Sequence, residues 1–239
     1  MNVFKEALRY SLKTFGIKVE WITLLNDRAR FRSSVREHHD INVLIDVGAN
    51  VGNYSQEARR CGFRGDIIAV EPLIEAYSKL RKKFANDSKF NGFNCAVGAE
   101  NKEGSLYVSH ANAASSMLSV TDLNTRVAPG ARVIRTDRIG VRTIDDILTG
   151  RPSAQRYYLK IDVQGAERDV LVGAMHSLLQ ICAIELEVSL QELYKGSWLW
   201  TEAINWLNDN GYQVIRVDPG YTDLRTGRTY QLDLIAVRE

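Results

Sequence analysis

Beyond residue 40 the chain alternates short, nearly continuous apolar runs with longer amphipathic stretches, the pattern of a mostly parallel sheet with helices on both faces. The runs predict strands over Asn42–Val47, Asp66–Glu71, Phe93–Val97, Tyr157–Asp162 and Ile181–Val188. Helices are expected over Tyr54–Cys61, Leu73–Phe84, Ala166–Leu179 and Leu199–Asp209, the last stopped by Asn210-Gly211. Tyr212–Val217 and Gln231–Val237 then read as a closing hairpin across a polar loop with Pro219-Gly220 and Thr226-Gly227. Residues 99–141 break the rhythm and suggest a hairpin or flap between the third and fourth strands. Ahead of all this, Phe4, Leu8, Leu12 and Phe15 recur at helical spacing while Lys5, Arg9 and Lys13 take another face. The chain therefore divides into an N-terminal helical cap over 1–40 and a main domain over 41–239.

Composition narrows the reading. Apolar residues make up 45% of the 239, enough to offset chain entropy in a packed core. The 31 basic and 29 acidic residues leave a formal +2, which argues against nucleic acid as a partner. The first forty residues hold a local excess of three positive charges. A cap packed on the main domain explains that excess, and peripheral membrane contact or a partner-binding helix is the alternative. No apolar run approaches the roughly 18 residues of a membrane span, and the charged amino terminus does not resemble a signal peptide. Cys61, Cys95 and Cys182 are odd in number and far apart, which supports neither a disulfide frame nor a zinc site and suggests a cytoplasmic setting.

The chemistry concentrates at the carboxyl ends of the predicted strands. Ile45-Asp46-Val47-Gly48-Ala49-Asn50-Val51-Gly52-Asn53-Tyr54 carries an acid out of a buried strand into a G-x-N-x-G turn and a helix start, where small residues let a ligand approach the backbone. The second strand ends in Glu71-Pro72, placed to meet the hydroxyls of a ribose. The third ends in Cys95-Ala96-Val97, small side chains suited to an adenine plane. In the fourth, Asp162 precedes a Gln164-Gly165 turn. In the fifth, Glu185 and Glu187 share one face because strand side chains alternate. Adjacent strands lie about 4.8 Å apart, so Asp162 and Glu187 can stand together and shift each other's proton affinity. A working site is one explanation for these acids, and a structural cluster bonded to backbone or Lys160 is the other.

Taken together, the segments Ile45–Tyr54, Val70-Glu-Pro72, Ala96-Val-Gly98, Ser115-Ser116, Arg142-Thr-Ile-Asp-Asp-Ile147, Leu159-Lys-Ile-Asp-Val-Gln-Gly-Ala-Glu167, Glu187-Val-Ser189, Tyr194-Lys-Gly196 and Gly227-Arg…Gln231-Leu-Asp233 resemble the FkbM-type S-adenosylmethionine-dependent methyltransferases. The resemblance spans residues 42–238. Gln164 stands where that family usually shows Glu, so no carboxylate role is assigned at that turn. The resemblance implies an α/β, Rossmann-like, seven-stranded mostly parallel sheet with an antiparallel last strand, preceded in this chain by the N-terminal helical segment. It also implies S-adenosyl-L-methionine as donor and O-methylation of a hydroxyl on a sugar or secondary metabolite. Carried over, Asp46, Gly48, Asn50, Gly52 and Asn53 would hold the methionine end, Glu71 the ribose, Cys95, Ala96 and Val97 the adenine, and Asp162 the region beside the sulfonium.

For catalysis, Glu187, helped by Asp162, is the expected base or orienting group for a small-molecule or glycan hydroxyl acceptor. His38, His39 and His110 are the rival bases, while His176, within a predicted helix, reads as structural. Two carboxylates of unknown separation establish no metal, and none is expected. Trp198 and Trp200 either wall an acceptor pocket or pack on the following helix. Residues 99–141, with Ser115, Ser116 and Met117, read as a flap over the donor. The competing functions are nitrogen methylation of a macromolecule, a nucleotide-binding module without catalysis, and an NAD-dependent oxidoreductase. The last is disfavoured because the loop lacks the third glycine of G-x-G-x-x-G. The sequence does not specify the oligomeric state.

Overall fold

The computed structural model describes residues 27–238. The expected helix over residues 3–25 lies outside them.

Four of the five predicted strands and the closing pair occur in one seven-stranded sheet, whose remaining strand overlaps the predicted Phe93–Val97 only at Phe93. Its strands are β1 (Val43–Val47), β2 (Asp66–Val70), β3 (Phe90–Phe93), β7 (Tyr157–Ile161), β8 (Ile181–Ser189), β9 (Gln213–Pro219) and β12 (Gln231–Val237), in the order β3-β2-β1-β7-β8-β12-β9. All contacts among β1, β2, β3, β7 and β8 are parallel, and β12 runs antiparallel to both neighbours. The chain order reverses between β1 and β7. In such sheets a crevice opens there, outside the carboxyl ends of the strands.

The central strands are apolar on both faces because both are covered. Ile45, Val47, Leu159, Ile161 and Leu186 pack in one layer. Leu44, Ile67, Tyr158 and Ala183 face the other, with helices α2 (Asn53–Arg60) and α3 (Ile74–Lys83) contributing Ala58 and Leu80. Helix α1 (Asp27–His38) reaches this second layer with few apolar groups, burying Ala29, Val35 and Arg36. It is fastened by ion pairs: Arg28 to Asp233 (2.5 Å) and Asp218 (3.6 Å), Arg32 to Glu185, and Asp27 to Arg216 (2.7 Å).

Residues 99–141 form the expected hairpin. Strands β5 (Lys102–Ser109) and β6 (Val133–Arg142) pair antiparallel, and β4 (Ala96–Val97) joins them to make a second, three-stranded sheet. Between β5 and β6 the chain carries the short helix α4 (Asp122–Val127) and bridges to Tyr194 through Val120. Helix α5 (Ile144–Ile147) follows β6, α6 (Glu167–Val172) follows β7, and α7 (Trp200–Asp209) precedes β9. The two-residue strands β10 (Thr222–Asp223) and β11 (Arg228–Thr229) pair in the loop before β12.

Two elements differ from the sequence expectation by more than two residues. The predicted strand Phe93–Val97 is cut in two, because the Asn94 amide donates to the carbonyls of Glu71 and Pro72 (both 2.9 Å) and turns the chain out of the main sheet. The helix expected to reach Leu179 stops at Val172. There Gly173 packs so closely on the Gly98 carbonyl that a Cβ would lie 2.1 Å from its oxygen, and Asp145 then binds the N–H groups of His176 and Ser177. His176 accordingly sits in an exposed turn. Among the described residues, no helix is long and apolar enough to cross a membrane.

Candidate active site

The loop after β1 is held against the neighbouring strand tips. The N–H groups of Gly48 and Ala49 both donate to the Val70 carbonyl (3.0 and 3.1 Å), and Asn50 N–H donates to Glu71 Oε2 (2.8 Å). Asn50 is left-handed, with φ +48°, a conformation asparagine tolerates. Gly48, with φ +74°, lies against the backbone that leaves β7, where a Cβ would fall 1.9 Å from the Asp162 carbonyl oxygen. No side chain larger than hydrogen fits.

Two crevices open on either side of this contact, and both are lined by Gly48 and Asp162. The first encloses about 480 Å³, part of it open to solvent. Val47, Val70, Val97 and Leu106 give it apolar walls, and Glu71, Cys95, Ala96, Ser115, Ser116 and Met117 complete them. Burial raises the Glu71 pKa, although the N–H groups of Leu73 (2.9 Å) and Asn50 oppose the shift. The second crevice, about 720 Å³, is more polar. Asn50, Asn53, Tyr54, Lys160, Glu185, Glu187 and Asp233 line it, with Arg32 reaching in from α1.

A chain of side chains runs along the sheet edge beneath both. The Lys160 ammonium lies 3.3 Å from Asp46 Oδ1 and 3.4 Å from Asp162 Oδ2, and donates to the Gly48 carbonyl (3.2 Å). Burial works against its charge, but the two aspartates outweigh that cost and hold its pKa above the ordinary value. Gln164 Nε2 donates to Asp162 Oδ1 (2.9 Å) and to Glu187 Oε2 (2.7 Å), which also accepts from Gln231 Nε2 (2.7 Å). Burial first, then the carboxylates of Asp162, Asp233 and Glu167, push the Glu187 pKa well up. Glu167 Oε1 caps the turn by accepting from Gly165 N–H (3.0 Å), and burial brings its pKa to about 7.

Of the residues expected at a site, Gly48, Asn50, Asn53, Glu71, Cys95, Ala96, Val97, Asp162 and Glu187 line one or both crevices. Asp46 and Gly52 line neither. Asp46 points into the helix-covered layer, fully buried, where Ser55 Oγ donates to it (2.7 Å) and Lys160 neutralises it, so its carboxylate underpins the loop. Gly52 caps α2 with φ +79°, and a Cβ there would strike Leu80 at 2.5 Å. Its smallness serves helix packing.

The acids of β8 part company. Glu185 is paired, accepting from Arg32 Nε (2.9 Å), Tyr54 (2.6 Å) and Tyr158 (2.7 Å). Glu187, among the described residues, has amide partners and no cation. His38, His39, His110, Trp198 and Trp200 lie outside both crevices, and Trp198 packs toward Trp206 with 6.2 Å between rings. Sequence reasoning gave no role to Arg32 or Gln231. Nothing local marks Arg32, since its partner lies 153 positions away, whereas Gln231 stands in a motif already matched.

A sequence profile described as the methyltransferase FkbM domain matches residues 46–214. The chain belongs to the FkbM methyltransferase family. The match runs from within β1 into the start of β9 and takes in every crevice-lining residue from Val47 to Glu187. The chain is also similar to Methyltransferase 1 of Beauveria bassiana (strain ARSEF 2860), at 25% identity over 146 residues. The alignment takes in 56% of this chain and 59% of the relative, so the chain spans about three-fifths of that relative's length. Among solved structures, Sp1610 of Streptococcus pneumoniae, a proposed tRNA (m1A22) methyltransferase in complex with S-adenosyl-L-methionine, superposes with a TM-score of 0.50. It is 13% identical, and the superposition covers 90% of this chain and 73% of that one. Precorrin-6y C5,15-methyltransferase of Geobacter metallireducens GS-15 gives a TM-score of 0.48 at 13% identity, covering 93% of each chain.

Proposed function

We propose that this FkbM methyltransferase uses S-adenosyl-L-methionine to methylate a hydroxyl group of a small molecule or glycan, with the donor in the first crevice and the acceptor in the second. The observation that carries this reading is the placement of Asp162 and Gly48 at the junction of the two, with Glu187 on the acceptor side only. The first crevice suits the donor chemically. Its apolar walls and the small residues Cys95 to Val97 match an adenine plane, and Glu71 keeps lone pairs for ribose hydroxyls beyond its two backbone bonds. From there the methionine end reaches past Gly48, at the junction, toward Asn50 and Asn53 at the near side of the second crevice, while Asp46 and Gly52 support that loop from beneath.

Bound there, the donor supplies a methyl group on a sulfonium, open to in-line displacement. The protein's part is alignment and exclusion of water, with Ser115, Ser116 and Met117 of the 99–141 segment covering the first crevice. An alcohol is a weak nucleophile. Glu187 takes its proton, and a raised pKa brings the carboxyl toward the pH at which a general base works best, an effect of roughly 10²–10⁴-fold. The test is turnover to S-adenosylhomocysteine with a panel of alcohols, glycans and amines. Glu187→Gln is expected to lower kcat at least about a hundredfold on the accepted alcohol. An unchanged kcat at saturating donor removes Glu187 from the chemistry, and turnover confined to amines overturns the O-methylation reading.

A further inference from the structure

Gln164 joins four parts of the molecule. It sits in the turn between β7 and α6 with φ +59°, a left-handed conformation uncommon for any residue but glycine, asparagine or aspartate. From there its side chain bridges Asp162, which lines both crevices, and Glu187, which lines the second. The Tyr194 hydroxyl lies 3.0 Å from its Oε1, which turns the amide nitrogen toward the acids. An amide nitrogen carries two hydrogens, and each has one carboxylate, Asp162 at 2.9 Å and Glu187 at 2.7 Å. Its main-chain carbonyl accepts from Ser116 Oγ (2.7 Å), so the same residue fastens the segment that covers the first crevice. In this chain the position holds a neutral donor where the family usually shows Glu. A carboxylate in its place would be one more negative charge among Asp162, Glu187, Glu167 and Asp233.

We propose that Gln164 is a positioning residue for methyl transfer: its amide holds Asp162 and Glu187 at a fixed separation across the junction, while its carbonyl holds Ser116 over the donor side. This rests on the reading of Glu187 as the acceptor-side base. The charged groups facing Glu187 are Asp162 with its partner Lys160, Glu167 from α6, and Asp233 from β12 with its partner Arg28. Against three acids, the Gln164 bond works to keep Glu187 ionisable.

The experiment is a pH titration of the Glu187 carboxyl carbon by NMR, using the full chain enriched in ¹³C-glutamate, with Glu187→Gln identifying the resonance. Gln164→Ala removes the donor, and Gln164→Glu keeps the shape but adds a charge. Loss of a hydrogen bond to a charged group is expected to raise the Glu187 midpoint by about one to two pH units in the first variant and further in the second. The acid limb of kcat should move with it on whichever acceptor turns over. A midpoint unchanged in both variants overturns the proposal. Because the titration needs no turnover, it is read separately from the activity of Glu187→Gln, which decides the base assignment itself.

Discussion

Replacing Gly48 by alanine places one methyl group where the structure has none to spare. The added Cβ would sit 1.9 Å from the Asp162 carbonyl oxygen, more than 1 Å inside ordinary contact, in a residue with φ +74°. Two costs combine: about 1–2 kcal/mol for a left-handed alanine, and about 1–3 kcal/mol for overpacking against a backbone atom. The sum, roughly 2–5 kcal/mol, is a large part of the stability of a domain. For a chain of this length it lowers Tm by roughly 5–20 °C. Gly150 supplies the control, because its φ is +80° and nothing lies within 4 Å of its would-be Cβ. Gly150→Ala should show the backbone cost alone. The difference between the two variants in thermal and urea unfolding isolates the clash, and calorimetry with S-adenosylhomocysteine should show that only Gly48→Ala loses affinity as the junction is forced apart. Equal Tm shifts for the two variants, with unchanged affinity, would refute the contact between the β1 loop and Asp162.

Three further outcomes are expected. Glu71→Ala removes the acceptor of two N–H groups and the proposed ribose contact, and should weaken S-adenosylhomocysteine binding by about 10–100-fold in calorimetry; an identical Kd sinks the ribose assignment. Tyr158→Phe takes one donor from the buried Glu185 carboxylate and should cost about 1.5–3 kcal/mol in urea unfolding, so a loss below about 0.5 kcal/mol would show that this bond contributes little. Glu167 titrates near 7 when folded against an ordinary 4.5, so its folded form prefers the proton. Its contribution to stability is complete below about 4.5 and is lost as pH rises through 7, by up to about 3 kcal/mol. Glu167→Gln should abolish that dependence, and an unaltered stability–pH curve would rule out burial of this carboxyl as its cause.

Much of the fold was legible because its signal is local. Nearly continuous apolar runs such as Leu44–Val47 and Tyr157–Ile161, each broken by one charged residue, declare strands buried on both faces, and the two-sided core bears them out. The breaks were not legible, because they arise from partners distant in sequence. Asn94 bends the chain by bonding carbonyls more than twenty residues earlier, and Gly173 halts its helix against Gly98. At the site, residue type and strand position were enough to bring most named residues to the crevices. Period-two alternation placed Glu185 and Glu187 on one face but could not say which would meet a cation. That depended on Arg32, carried by a helix whose approach to the sheet has no local mark. Nor could the sequence show that Asp46 would meet Ser55 and Lys160, since an acid at a strand end reads the same whatever it faces.

The arginine fastening of α1 bears on where this protein can be cut. A fragment starting at residue 41 would keep all of the family match, which begins at residue 46, yet it would strip Glu185 of the Arg32 guanidinium while leaving that carboxylate enclosed by two tyrosines. An unneutralised acid in such a place is strongly destabilising. The limit of sequence likeness is therefore not the limit of the folding unit, and the second crevice keeps its Arg32 wall only when the helix that precedes the matched region stays attached.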